Sequence, residues 1–185
     1  MAVNWTNSQV LSQLKSGYQW TLPTIYYAFP TSATGMYSAG ESATFRPVSS
    51  SQQPVFAKAI QTWDDLIPQA FQQTYANTSD IEFAFTTSNI DYAHAYQPTT
   101  GSAWFLTGSD VSSAQIGSYG FMTIMHEIGH ALGLNHMGNY NGSGSWLPSS
   151  FQDSDVLSIM SYFGPEVPRV FFQVKSLVQT GLRPT

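Results

Sequence analysis

The sequence predicts an α+β fold, on three observations. At 185 residues, 42% of them hydrophobic and 15% aromatic, the chain is long enough to bury one sizeable core and short for two domains. Segments with apolar residues at helical spacing are interleaved with short runs rich in β-branched and aromatic residues, the pattern of helices and strands sharing one core. No stretch approaches the length of a membrane span, and no internal repeat divides the chain.

Residues 6 to 16, TNSQVLSQLKS, read as a short helix capped by Thr6 or Asn7, with Val10, Leu11 and Leu14 on one side and Gly17 as a stop. TIYYAFP, 24 to 30, reads as a strand, and the Ser-, Thr- and Gly-rich stretch 31 to 50 as loop. From Ser51 a helix is signalled by Phe56, Ile60, Trp63 and Ile67 until Pro68 interrupts it. Three strand-like runs follow, IEFAFT at 81 to 86, DYAHAYQ at 91 to 97 and SAWFLT at 102 to 107. In the second, His94 alternates with Tyr92 and Tyr96 and reads as a structural or surface histidine. The next helix begins near Tyr119, with Ile124, Ile128 and Leu132 marking its packing side. Residues 137 to 155 read as loop. After Pro168 the spacing of Val170, Phe171, Val174, Leu177 and Val178 predicts a terminal amphipathic helix.

Charge narrows the partners. Net charge is −5 and only 9% of residues are charged, so solubility rests on Ser, Thr, Asn and Gln. Residues 59 to 168 hold no Lys or Arg, yet hold every Asp and Glu except Glu41. Such a surface excludes nucleic acid and anionic membranes as partners. The absence of cysteine excludes disulfides and thiol catalysis. The first residues, MAVNWTNSQV, show no charged segment followed by an apolar one, so no signal peptide is visible.

The chemistry concentrates in HEIGHALGLNH, residues 126 to 136, which holds three of the four histidines. His126 and His130 are four residues apart, about 40° out of phase on a helix, so both imidazoles leave one face a single turn apart. Glu127 is rotated by about 100° from His126, beside a metal there but better placed to reach its water than to ligate. Gly133 can take a positive φ and end the helix, which lets the chain turn and bring His136 to the same ion. Three neutral imidazoles without cysteine describe a catalytic zinc with one open position.

Followed by the methionine-bearing turn SIMSYF (Ser158 to Phe163), this motif resembles the metzincin clan of zinc endopeptidases, and within it the serralysin family of bacterial alkaline proteases. GNYNGSG after His136, GSAWFL before the motif helix and MSY in the turn are of that type, and the resemblance covers most of residues 17 to 163. It implies a mixed, twisted sheet over the active-site helix. It also implies a small C-terminal subdomain, about 137–185, holding the Met-turn and terminal helix, after an N-terminal subdomain of about 1–136. His126, His130 and His136 would bind one Zn2+, Glu127 would be the general base, Met160 would form the floor, and Tyr162 would be the mobile tyrosine. Substrate would lie as an extended strand along an edge strand formed by Ser102, Ala103, Trp104, Phe105 and Leu106. The family's calcium-binding repeats have no counterpart here, so calcium is not expected. A secreted monomer is implied, with protein or peptide substrates and a proteinaceous inhibitor as a further partner.

The function expected is therefore hydrolysis of peptide bonds by a zinc-activated water. The competing reading is a non-proteolytic, zinc-containing peptide-binding or effector protein on the same scaffold. Glu127 favours hydrolysis, because binding alone does not require a general base.

Overall fold

The computed structural model describes residues 3–140 and 148–164. The terminal helix expected after Pro168, and most of GNYNGSG, lie outside the described residues. The chain divides into two compact units. One is Ser16–Leu134; the other joins the residues up to Lys15 with those from Asn135 onward. The first helix, expected with the N-terminal part, thus belongs to the second unit, and the boundary precedes His136.

Helix α1 (Asn7–Leu14) starts at Thr6 in a capping box: Thr6 accepts from the Gln9 N–H, and the Gln9 side chain returns the bond to the Thr6 N–H. None of its residues is fully buried, and Leu11 is exposed.

In the larger unit, β1 (Thr24–Ala28) is followed by the two-residue β2 (Arg46–Pro47) and α2 (Gln53–Asp64), which has Pro54 in its first turn, where no amide hydrogen is needed. Strands β3 (Ala70–Gln73), β4 (Ile81–Thr86), β5 (Ala93–Ala95) and β6 (Ser102–Leu106) precede α3 (Tyr119–Ala131). The order across the sheet is β3-β1-β4-β6-β5, with β2 pairing β4 off this path. β1 is parallel to β3 and β4, and β4 to β6; β5 and β2 run antiparallel to their partners, so the sheet is mixed.

The sheet has two different faces. Ile81, Phe83 and Phe85 of β4 and Ala103 and Phe105 of β6 join Phe56, Ile60, Ile124 and Ile128 in the main core. Phe56 sits at its middle, with ring centroids 5.4 to 6.2 Å from Phe29, Phe83, Phe85 and Phe105. On the other face Ala84 and Trp104 pack with Met36, beneath the stretch read as loop. Among the described residues five short elements escaped the sequence pattern: β2, β3 and the 3-10 turns Glu41–Thr44, Ala76–Thr78 and Asp110–Ser113.

The edge-strand expectation needs correcting. β6, Ser102–Leu106, is paired on both sides, by β4 and by β5. Ser102, Ala103, Trp104 and Phe105 have no exposed surface. A short apolar run buried on both faces is the signature of an inner strand, which GSAWFL carries. The edge is β5, Ala93–Ala95, shorter than the seven-residue run DYAHAYQ from which it was expected.

Candidate metal centre

α3 is fixed before any metal is considered. Its N-cap, Ser118, accepts from the Phe121 N–H at 3.2 Å. Ile124 and Ile128 are fully buried in the core. Two indoles grip its backbone: Trp63 Nε1 donates to the Met125 carbonyl at 3.0 Å, and Trp20 Nε1 to the Ala131 carbonyl at 2.8 Å. The second of these satisfies a carbonyl in the last turn, which has no partner within the helix.

The helix ends in a Schellman motif. Gly133 N–H donates to His130 O and Leu134 N–H to Gly129 O, both at 2.9 Å, with Gly133 at φ +100°. A Cβ at Gly133 would stand 2.2 Å from the Tyr18 carbonyl oxygen, so both the turn and the close approach require glycine. The same turn brings the Leu134 carbonyl to His130 Nδ1, 2.7 Å away. A carbonyl can only accept, so the proton is on Nδ1 and Nε2 carries the lone pair, the tautomer that metal ligation requires.

One nitrogen each from His126, His130 and His136 lies within 4.8 Å of the others. Among the described residues no other cluster of His, Cys, Asp or Glu offers such convergence. The rings of His126 and His130 are 4.7 Å apart and nearly perpendicular. Glu127 is buried beside them, its Oε2 without a hydrogen-bond partner, and burial pushes its carboxyl up to about 8. A buried carboxylate oxygen left without a donor is costly unless a water or an ion completes the site. The donor set, three imidazoles with no thiolate, fits zinc.

His136 is held within the second unit. Its carbonyl accepts from Gln13 Nε2 at 3.1 Å, and its ring stacks on Tyr140, with centroids 5.2 Å apart and planes at 29°. The Tyr140 hydroxyl donates to Asp153 Oδ1 at 2.6 Å, as does Ser161 Oγ at 2.8 Å, while Ser149 N–H reaches Oδ2. The Tyr140 oxygen also accepts from the Tyr162 N–H at 3.3 Å. Tyr162 is 53% exposed, and its ring centroid lies 4.3 Å from that of His136. Met160 is buried, and its carbonyl accepts from Met137 N–H at 2.8 Å. Burial, followed by the Asp153 bond, raises the Tyr140 phenol far above its usual range, so it stays protonated and a donor.

Asp153 and Tyr140 were not singled out in the sequence, where both fall in a stretch of loop composition. The available signal was an acidic residue seven positions before Met160 in a chain poor in charge. Glu41 was equally silent. Burial tends to raise its carboxyl, but hydrogen bonds from Tyr96, the backbone and His94 outweigh that and hold it below the usual carboxylate range. His94, expected to be structural or on the surface, is 2.6 Å from the Glu41 carboxylate.

The family model of the matrixin peptidases matches residues 42–143, more than half of the chain. Serralysin A of Dickeya chrysanthemi is 40% identical over 118 residues, 57% of this chain and 25% of its own length. A serralysin of a Photorhabdus strain is 33% identical over 145 residues, 70% of this chain and 30% of its own. Metalloprotease AprA of Pseudomonas entomophila is 32% identical over 153 residues, 74% of this chain and 31% of its own. The chain therefore spans under a third of the length of these curated relatives.

Proposed function

The chain belongs to the matrixin family of peptidases, and from that premise we propose that it is a zinc-dependent endopeptidase acting on protein substrates. The observation that carries the reading is the convergence of three imidazole nitrogens beside the buried Glu127 carboxylate. His126, His130 and His136 would hold one zinc ion, and the reading invokes no calcium. When bound, zinc would polarise the scissile carbonyl and lower the pKa of water toward ~7 from about 15.7.

Glu127 takes the proton of the attacking water and passes it to the leaving amine, base and then acid in one cycle. Its uncompleted oxygen supports that role, since a carboxylate already saturated with donors would be a poor base. The Tyr162 phenol, half exposed and next to His136, would donate to the oxyanion that develops on the substrate carbonyl. Met160 serves as the buried floor of the turn.

Substrate binding moves from β6 to β5. Ladder alternation turns the backbone groups of residues 92, 94 and 96 toward β6 and those of Ala93 and Ala95 outward. An extended peptide can add to that edge, reading backbone more than side chain, which implies broad specificity. No helix among the described residues is long and apolar enough to cross a membrane; action outside the cell as a monomer is part of the same proposal.

The test is cleavage of casein and of a fluorogenic peptide by the zinc-loaded protein and by Glu127→Ala, with zinc content measured on both. Wild-type cleavage lost by about 100-fold or more in the variant, with zinc retained, is the expected result. A wild type that binds zinc and peptide but cleaves neither substrate would favour sequestration instead.

A further inference from the structure

β5 is a weak element for the work assigned to it. It has three residues and, among the described residues, a ladder on one side only, and so little pairing does not hold a strand in place by itself. Behind it stands a carboxylate with no exposed surface. Glu41, in the 3-10 turn, receives His94 Nε2 and the Tyr96 hydroxyl on Oε1, each at 2.6 Å, and the Ala39 N–H on Oε2. Its own carbonyl accepts from Thr86 Oγ1 at 2.6 Å, which ties the turn to the central strand β4.

A carboxylate taken out of water is tolerated only where donors replace the water. Two of the three donors here come from the edge strand and the residue after it, His94 within β5 and Tyr96 next to its end. His94 and Tyr96, two residues apart, leave the strand on one face and meet the same oxygen. Tyr96 also packs edge-on against Tyr37, with centroids 4.6 Å apart. The two gripped residues flank Ala95, and the Tyr96 N–H completes the grip by bonding to Ser102 O at 2.9 Å.

We infer that Glu41 is a positioning residue for substrate: through His94 and Tyr96 it holds the outward N–H and C=O of Ala95 at the spacing an extended peptide requires. It touches no reacting atom. It sets instead how much binding each further substrate residue along the edge contributes. The inference rests on the peptidase reading proposed above.

Two measurements on the zinc-loaded chain test it, using Glu41→Gln and, because that variant removes a buried charge, Tyr96→Phe as a milder second. The first is amide hydrogen exchange at Tyr96 and Leu106, whose N–H groups bond across β5 and β6. Exchange there should quicken by roughly 10-fold or more, the scale of one lost charge-assisted hydrogen bond, while the amides of α3 keep their protection. The second is cleavage of a peptide series lengthened one residue at a time. Wild-type KM should fall with length, and the variants should flatten that fall with little change in kcat. Unchanged exchange at Tyr96 and Leu106, or equal loss at every peptide length, overturns the inference. If the wild type cleaves no peptide, the peptidase reading fails, and the exchange result alone decides whether Glu41 holds the strand.

Discussion

Replacing Gly133 with alanine should damage the protein in two separable ways. The residue sits at φ +100°, where an L side chain is strained by about 1–3 kcal/mol. Its new Cβ would also lie 2.2 Å from the Tyr18 carbonyl oxygen, and would have to retreat by about 1 Å to reach the ~3.3 Å at which carbon and carbonyl oxygen ordinarily meet. Forcing that gap open in a packed region costs about 1–3 kcal/mol more. Gly117 provides the control: its φ is +85°, yet nothing lies within 4 Å of a Cβ there. Gly117→Ala should therefore lose about 1–3 kcal/mol, and Gly133→Ala about 2–6, in urea unfolding of the metal-free proteins. A shift of about 1 Å three residues before His136 is large against Zn–N bonds of roughly 2.0–2.1 Å, so zinc affinity should fall by about 10- to 100-fold. Equal destabilisation in the two variants, or full zinc retention in Gly133→Ala, would refute the claim that this turn builds the site.

Tyr162→Phe keeps the ring beside His136 and removes only the hydroxyl, so zinc should stay while kcat and kcat/KM fall together by about 100- to 1,000-fold on a fluorogenic peptide. A raised KM with unchanged kcat would place the phenol in ground-state binding instead. Asp153→Ala leaves the Tyr140 and Ser161 hydroxyls and the Ser149 N–H without their acceptor in a buried site, which should cost about 2–5 kcal/mol in urea unfolding. Asp153→Asn, which keeps one oxygen, should recover part of that loss; an alanine variant as stable as wild type would show that the network carries no weight.

How much of this was legible in the sequence depends on the range of the interaction. The motif helix, its glycine stop and the three histidines follow from spacing within eleven residues, because helical phase and a positive-φ turn are local properties. Likewise the cap of the first helix could be narrowed to Thr6 or Asn7 from local sequence, and it is Thr6. The edge strand could not be placed, since which of two adjacent runs ends a sheet is decided by pairing across the chain, and an apolar run such as SAWFL shows only that it is buried. The clusters around Glu41 and Asp153 were hidden for the same reason. Glu41 lies 53 residues from His94 and 55 from Tyr96, and Asp153 lies 13 from Tyr140, so no periodicity links them. In a chain with so few charges, a lone acidic residue inside a polar loop was the one available hint, and composition alone does not separate a buried carboxylate from a solvated one.

The indoles that hold α3 give the protein an optical property as well as a mechanical one. Trp20 and Trp63 place their N–H groups on carbonyls of α3, at Ala131 and Met125. Indole emission responds to the polarity and hydrogen bonding around that N–H. The fluorescence of these two of the five tryptophans is thus tied to the state of the helix that carries His126 and His130, and its loosening would change their share of the emission without any label.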